Sequence, residues 1–239
     1  MKLQRIVFLL AASLLLLWVI SPRPDIAAGG EAQITEETKY IALTFDDGPR
    51  PDTTGRLLDG LKERGAKVTF FLIGKQIANN TTLVQRMKAE GHQVGSHTWN
   101  HTKLQGQSCS VISAEICRTD AALRSLLWDG EYWVRPPYGL LDKCQESLFS
   151  VPLVTWSVDP EDWKLKNADK DVAAVLSHVQ PGDIVLMHDS VPASVDAALR
   201  IVDKLQSQGY QFVTVQELLE LKGITPQPGV MYYSDHKWR

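Results

Sequence analysis

Two adjacent carboxylates, Asp46 and Asp47, leave the apolar run Ile41-Ala42-Leu43-Thr44-Phe45 and are followed by Gly48-Pro49. Like charges side by side at the end of a buried strand are costly unless a cation compensates them; taken alone, Asp-Gly and Gly-Pro are also ordinary turn chemistry. Further along, Ser96-His97-Thr98-Trp99-Asn100-His101 carries two histidines four apart. They would face one metal if the segment turned helically, and neutral imidazole nitrogens suit zinc and similar ions. No Glu follows His97, so this is not the H-E-x-x-H of metalloproteases. Two histidines with Asp47 leave a fourth position for water, the pattern of a catalytic rather than a closed structural site.

Three more polar groups close predicted strands. In Arg135-Pro136-Pro137-Tyr138-Gly139 the prolines stiffen a loop, so Arg135 can be held against a carboxylate and a backbone N–H fixed as an oxyanion donor. Asp159-Pro160-Glu161-Asp162-Trp163 and Leu186-Met187-His188-Asp189 follow, and a strand-end histidine oriented by an acid suits proton donation to a leaving group. Each is weak alone: a rigid turn, a solvated acidic loop, a structural histidine. His92, His178 and His236 carry no such company and are assigned no chemistry.

The elements that must position these groups alternate. Short apolar runs predict strands at 40–44, 68–73, 93–95, 132–135, 153–156, 184–187 and 211–214, with helices at 53–64, 83–90, 113–127, 171–178 and 194–208. In the last helix Val195, Ala198, Ile201, Val202 and Leu205 recur at spacings of three and four. A βα repeat implies an α/β fold with a parallel sheet, open or closed into a barrel, and in both the active site lies beyond the strand C-termini, where the polar groups fall.

Taken in order, T-F-D-D-G-P, H-T-x-x-H, R-P-P-Y-G, D-x-x-D-W and L-x-H resemble the five motifs of polysaccharide deacetylases, the NodB-homology family of carbohydrate esterases. The resemblance covers about residues 40–221 and implies a distorted (β/α)7 barrel, TIM-like, in a single domain. It implies that Asp46 is the base that activates water, that Asp47, His97 and His101 hold one divalent metal, and that Arg135 orients Asp46. It further implies that the Tyr138 backbone N–H helps hold the oxyanion, that His188 protonates the departing amine with Asp162 orienting it, and that Trp163 lines the sugar groove with Tyr138. Gly139-Leu140-Leu141-Asp142 lacks the polar residue that many relatives carry shortly after the glycine. Zinc is the expected ion, with cobalt or nickel as alternatives, and the expected substrate is an N-acetylated polysaccharide: peptidoglycan first, then chitin-like oligomers or acetylated xylan. A glycoside hydrolase built on a carboxylate pair from Asp46, Asp47, Glu161 or Asp162 would leave H-x-x-x-H unexplained, and a glycan-binding module would leave the whole catalytic set unused.

Lys2 and Arg5 precede an apolar run over residues 6–20 that reads as an export signal or a retained N-terminal anchor, with residues 1–21 as that segment, 22–38 as a flexible spacer, 39–222 as the catalytic domain and 223–239 as an irregular tail. A cut after Ala28 would remove Lys2, Arg5, Arg23 and Asp25, a net +2, taking the whole chain's −3 to −5. A nucleic-acid partner is therefore not expected. The domain is expected to work as a monomer, exported to the outer face of the membrane or beyond. Three cysteines, Cys109, Cys117 and Cys144, form no C-x-x-C pair, and Cys109 with Cys117 is the local candidate for a bridge.

Overall fold

The chain alternates strands and helices from β1 (Lys39–Asp46) onward in the computed structural model, which describes residues 38–128, 130–235, 237 and 238. After β1 come α1 (Thr54–Glu63), β2 (Thr69–Leu72), α2 (Gly74–Ile77), α3 (Thr81–Ala89), β3 (Gln93–Ser96) and α4 (Cys109–Leu127). The second half holds β4 (Leu153–Val154), α5 (Asp162–Leu165), α6 (Ala168–His178), β5 (Ile184–His188), α7 (Pro192–Ser207), β6 (Tyr210–Phe212), α8 (Val215–Leu221), β7 (Met231–Ser234) and β8 (Lys237–Trp238).

Strand β1 is the axis of this α/β fold. It pairs in parallel with β2, β5 and β6, and β2 pairs with β3. Single bridges at Ser96↔Val134, Val134↔Leu153 and Val158↔Val185 carry the circuit on toward β4 and back to β5. Side-chain alternation in β1 explains its place. Ile41, Leu43 and Phe45, all fully buried, pack outward with Leu57, Leu58 and Leu61 of α1 and Ala198, Ile201 and Val202 of α7. Ala42 points the other way, into a second cluster with Phe71, Trp133, Val154 and Ile184, which Val215, Leu218 and Leu219 of α8 join. Each large side chain so buried contributes roughly 1.5–3 kcal/mol, and shifting the register by one residue would turn Asp46 into that outer apolar layer.

Two expectations need correction. The strand expected at 132–135 contracts to the bridge at Val134, because Pro136 and Pro137 offer no N–H to continue a ladder. The tail expected to be irregular supplies β7, which pairs in parallel with β4 and buries Met231 and Tyr232; Pro226, Pro228 and Gly229 just before it mask the strand in the sequence. The apolar run at 6–20 lies outside the described residues. Among the described residues, no helix is long and apolar enough to cross a membrane.

Candidate metal centre and active site

The parallel register brings the motifs to one end of the sheet. Asp46 pairs with His188 at the C-terminal ends of β1 and β5, and β3 ends at Ser96 immediately before His97. Asp46, Asp47, His97, His101, Tyr138, Trp163 and His188 all line one cleft of about 340 Å³, with Trp156, Asp159 and Leu186. Arg135 and Asp162 stand behind it, fully buried.

Asp46 is 2% exposed and accepts from Arg135 Nη1 at 2.7 Å; the same nitrogen donates to Thr44 Oγ1 at 2.8 Å, and Arg135 Nη2 donates to the Thr155 carbonyl at 2.9 Å. Burial alone would raise the Asp46 pKa, but Arg135, His97 and His188 outweigh it and hold the carboxyl below the ordinary range. Asp46 therefore stays ionised. Thr44, which opens T-F-D-D-G-P but has no role assigned from the sequence, lies two residues before Asp46 on the same face of β1; that period is the available signal.

The other carboxylate faces the histidines. Asp47 Oδ1 lies 3.5 Å from His101 Nε2 and 3.8 Å from His97 Nε2, and one ligand atom from each of the three residues falls within 4.8 Å of the others. His97 Nδ1 is 2.7 Å from the Arg135 carbonyl. A carbonyl only accepts, so Nδ1 carries a proton and Nε2 is the ring nitrogen turned to the two aspartates, 3.5 Å from Asp46 Oδ2 and 3.8 Å from Asp47 Oδ1. Burial, with His97 alongside, lowers the His101 pKa despite Asp47 and Asp46, which keeps that ring neutral. Asp47 Oδ1 is buried without a hydrogen-bond partner. A buried carboxylate oxygen left unpaired between two imidazole nitrogens is a set of ligand atoms that fits a divalent cation.

The histidines do not converge as expected. Residues 97–101 are not helical: Thr98 and His101 take left-handed φ of 66° and 62°, and a loop swings His101 back toward Asp47. Glu115 of α4 holds that loop, accepting from Asn100 N at 2.8 Å and Asn100 Nδ2 at 3.0 Å, while Gly74 N donates to the Thr98 carbonyl at 2.9 Å. Spacing alone carried no sign of Glu115.

Opposite lies the acid pair. His188 Nδ1 is 2.8 Å from Asp162 Oδ1, and the His188 backbone N–H donates to Asp162 Oδ2 at 2.8 Å, so Nδ1 is the donor to the carboxylate and the other ring nitrogen is left for the cleft. Burial would lower the His188 pKa, but Asp162, with the charges of Asp46 and Asp47, raises it to about 9. Tyr138, at left-handed φ of 62°, sets its ring edge-on to His101 with 4.9 Å between centroids, and Trp163 stands half exposed at the rim.

Elsewhere, His92 is buried, accepts from the Val68 N–H at 3.2 Å and packs edge-on to Phe70, a structural role. His178 Nδ1 lies 2.8 Å from the Ala174 carbonyl one turn back; His236 falls outside the described residues. The bridge suggested between Cys109 and Cys117 is excluded. Both lie on the unbroken helix α4, where eight residues rise by about 12 Å, against a Cα separation of roughly 4.4–6.8 Å for a disulfide. All three cysteines are exposed and free.

Residues 33–147 match the polysaccharide deacetylase family. A peptidoglycan-N-acetylglucosamine deacetylase of Bacillus cereus is 36% identical over 208 residues, covering 80% of this chain and 92% of that relative. The chain belongs to the polysaccharide deacetylase family. Peptidoglycan-N-acetylglucosamine deacetylase PgdA of Listeria monocytogenes is 43% identical over 191 residues, 79% of this chain but only 40% of PgdA; this polysaccharide deacetylase thus spans well under half the length of that relative. A family 4 acetyl xylan esterase from Clostridium thermocellum, solved with a cobalt ion, superposes with a TM-score of 0.79 at 32% identity, covering 83% of this chain and all of that one (100%).

Proposed function

We propose that this chain is a metal-dependent deacetylase that hydrolyses the acetamide of N-acetylglucosamine units in an envelope polysaccharide, peptidoglycan foremost, to acetate and a free amine. The observation that carries the reading is the opposition, across one cleft, of the cation-ready Asp47–His97–His101 cluster with Asp46 and the protonated His188. The apolar run at 6–20 and the relatives' naming for peptidoglycan support an envelope location on the outer side of the membrane.

In this reading Asp47, His97 and His101 hold one divalent ion, zinc by the affinity of two imidazoles and a carboxylate, with cobalt or nickel able to replace it. When bound, the ion supplies Lewis acidity and lowers the pKa of water at the cleft. Asp46, kept ionised and aimed by Arg135, takes a proton from the attacking water, whose oxygen adds to the acetamide carbon. The Tyr138 backbone N–H donates to the oxygen on which charge develops. His188, held by Asp162 and carrying its proton at neutral pH, gives that proton to the nitrogen as the C–N bond breaks. Trp163 and the Tyr138 ring offer faces to the sugar. A glycosidase pair is disfavoured, since Asp162 is fully buried with both oxygens held by His188 and Asp46 is tied to Arg135.

The test is acetate release from N-acetylglucosamine oligomers and from peptidoglycan, with and without a chelator and then with zinc restored, while new reducing ends are counted. Chelator-sensitive acetate with no new reducing ends is expected; new reducing ends, or acetate unaffected by chelation, would overturn the reading.

A further inference from the structure

Asp189 follows the acid His188 but faces away from its work. It is fully buried, and so is Thr54 at the start of α1. Thr54 Oγ1 donates to Asp189 Oδ2 and accepts from the Arg50 N–H at 2.8 Å, while the Thr54 N–H donates to the Arg50 carbonyl at 3.0 Å. Asp189 Oδ1 has no hydrogen-bond partner. The carboxylate lies flat against Gly48: a Cβ there would come within 2.7 Å of its Cγ and of both oxygens.

Those contacts converge on residues 47–50, the turn that presents Asp47. Asp47 itself stands at a left-handed φ of 71°, uncommon for a non-glycine residue although aspartate tolerates it better than most, so the contacts around the turn bear on how firmly it is held. From one side the turn is held by Ile73 N, which donates to the Gly48 carbonyl at 3.0 Å, and by Gln76 Nε2, which donates to the Asp47 carbonyl at 2.9 Å. From the other side it is held by Asp189 and its Thr54 relay. A buried carboxyl oxygen without a partner is expensive, and this one lies against the turn.

We infer that Asp189 is a positioning residue for the metal centre: through the Thr54 hydroxyl and the bare Cα of Gly48 it sets the 47–50 turn so that Asp47 meets His97 and His101 at ligand spacing. This rests on the reading of Asp47, His97 and His101 as ligands. Groups standing behind metal ligands typically change metal affinity about 10- to 100-fold when removed.

The test is a competition titration of zinc against a chromophoric chelator with the full chain, its Asp189→Ala, Asp189→Asn, Thr54→Val and Thr54→Ser variants, and the Asp189→Ala/Thr54→Val double variant, each checked for cooperative thermal unfolding. Asp189→Ala and Thr54→Val are expected to weaken zinc binding about 10- to 100-fold. Asp189→Asn and Thr54→Ser, which keep an acceptor and a hydroxyl, should stay within about threefold, and the double variant should be no weaker than the worse single one, because both cut the same relay. Folded Asp189→Ala or Thr54→Val with parent affinity, or a double variant whose losses multiply, would overturn the inference. If Asp189→Ala does not fold, the Thr54 pair decides alone. Absence of one-to-one zinc binding by the parent chain would instead sink the ligand assignment on which it rests.

Discussion

On the β5 side of the cleft, His188 extends a hydrogen-bonded strand, and its ring and backbone N–H both meet Asp162; beside it Asp46 ends β1 against Arg135. On the other side Asp47 and His101 stand on turns at left-handed φ, and Asp47 Oδ1 is buried without a partner. The first region is electrostatically complete by itself. The second is complete only with a cation, and it is held together by groups outside the cleft: Glu115 under the histidine loop, Asp189 and Thr54 under the aspartate turn. The groups proposed for proton transfer thus stand at strand ends, where direction is set by register, and the proposed ligands Asp47 and His101 stand on loops, where the backbone is held by packing behind it.

The contrast can be broken most sharply at His188. Replacing it by Ala should lower kcat by about 10²–10⁴-fold, the usual contribution of a positioned acid, while bound metal is retained; loss of metal in that variant would show that the two regions are not separable. Next in size is Arg135→Met, which leaves Asp46 buried without its cation. Breaking a buried ion pair from one side costs about 3–5 kcal/mol, to be read as a lowered midpoint in urea unfolding. A smaller effect is expected for Asp162→Asn. His188 titrates at about 9, above its ordinary 6.5, so the protonated acid is present below that pH and is lost as pH rises through it. Removing the Asp162 charge should move this alkaline limb of the acetate-release profile to lower pH; an unmoved limb would mean that another group sets it. By the same sign, the stability this pair contributes is full below about 6.5 and fades as pH approaches 9. Smallest, Trp163→Ala should raise KM about three- to tenfold with kcat preserved, since a half-exposed ring face supplies roughly 1 kcal/mol of uniform binding.

Much of this was legible from residue types. Paired acids, spaced histidines and a strand-end histidine all sit where an α/β sheet puts chemistry, and the structure gathers them into one cleft or directly behind it. The sheet order was not, because it depends on which strands pair across long separations: β1 meets β5 and β6 as well as β2. Loop geometry was hidden too. The H-x-x-x-H spacing suggested a helical turn, and two left-handed residues replace it. Thr54 and Asp189 were invisible as a pair because their meaning lies in a close approach to Gly48, which no spacing encodes. Strand β7 was missed since its aromatic run is short and follows prolines.

The division between the two regions is tested most directly by measuring metal content per chain and acetate release, side by side, for Asp46→Asn and Asp47→Asn. Asp46→Asn is predicted to retain one divalent ion and to lose turnover by about 10²–10⁴-fold, whereas Asp47→Asn should lose the ion and turnover together. An Asp47→Asn chain that keeps its ion, or an Asp46→Asn chain that keeps full turnover, would contradict it.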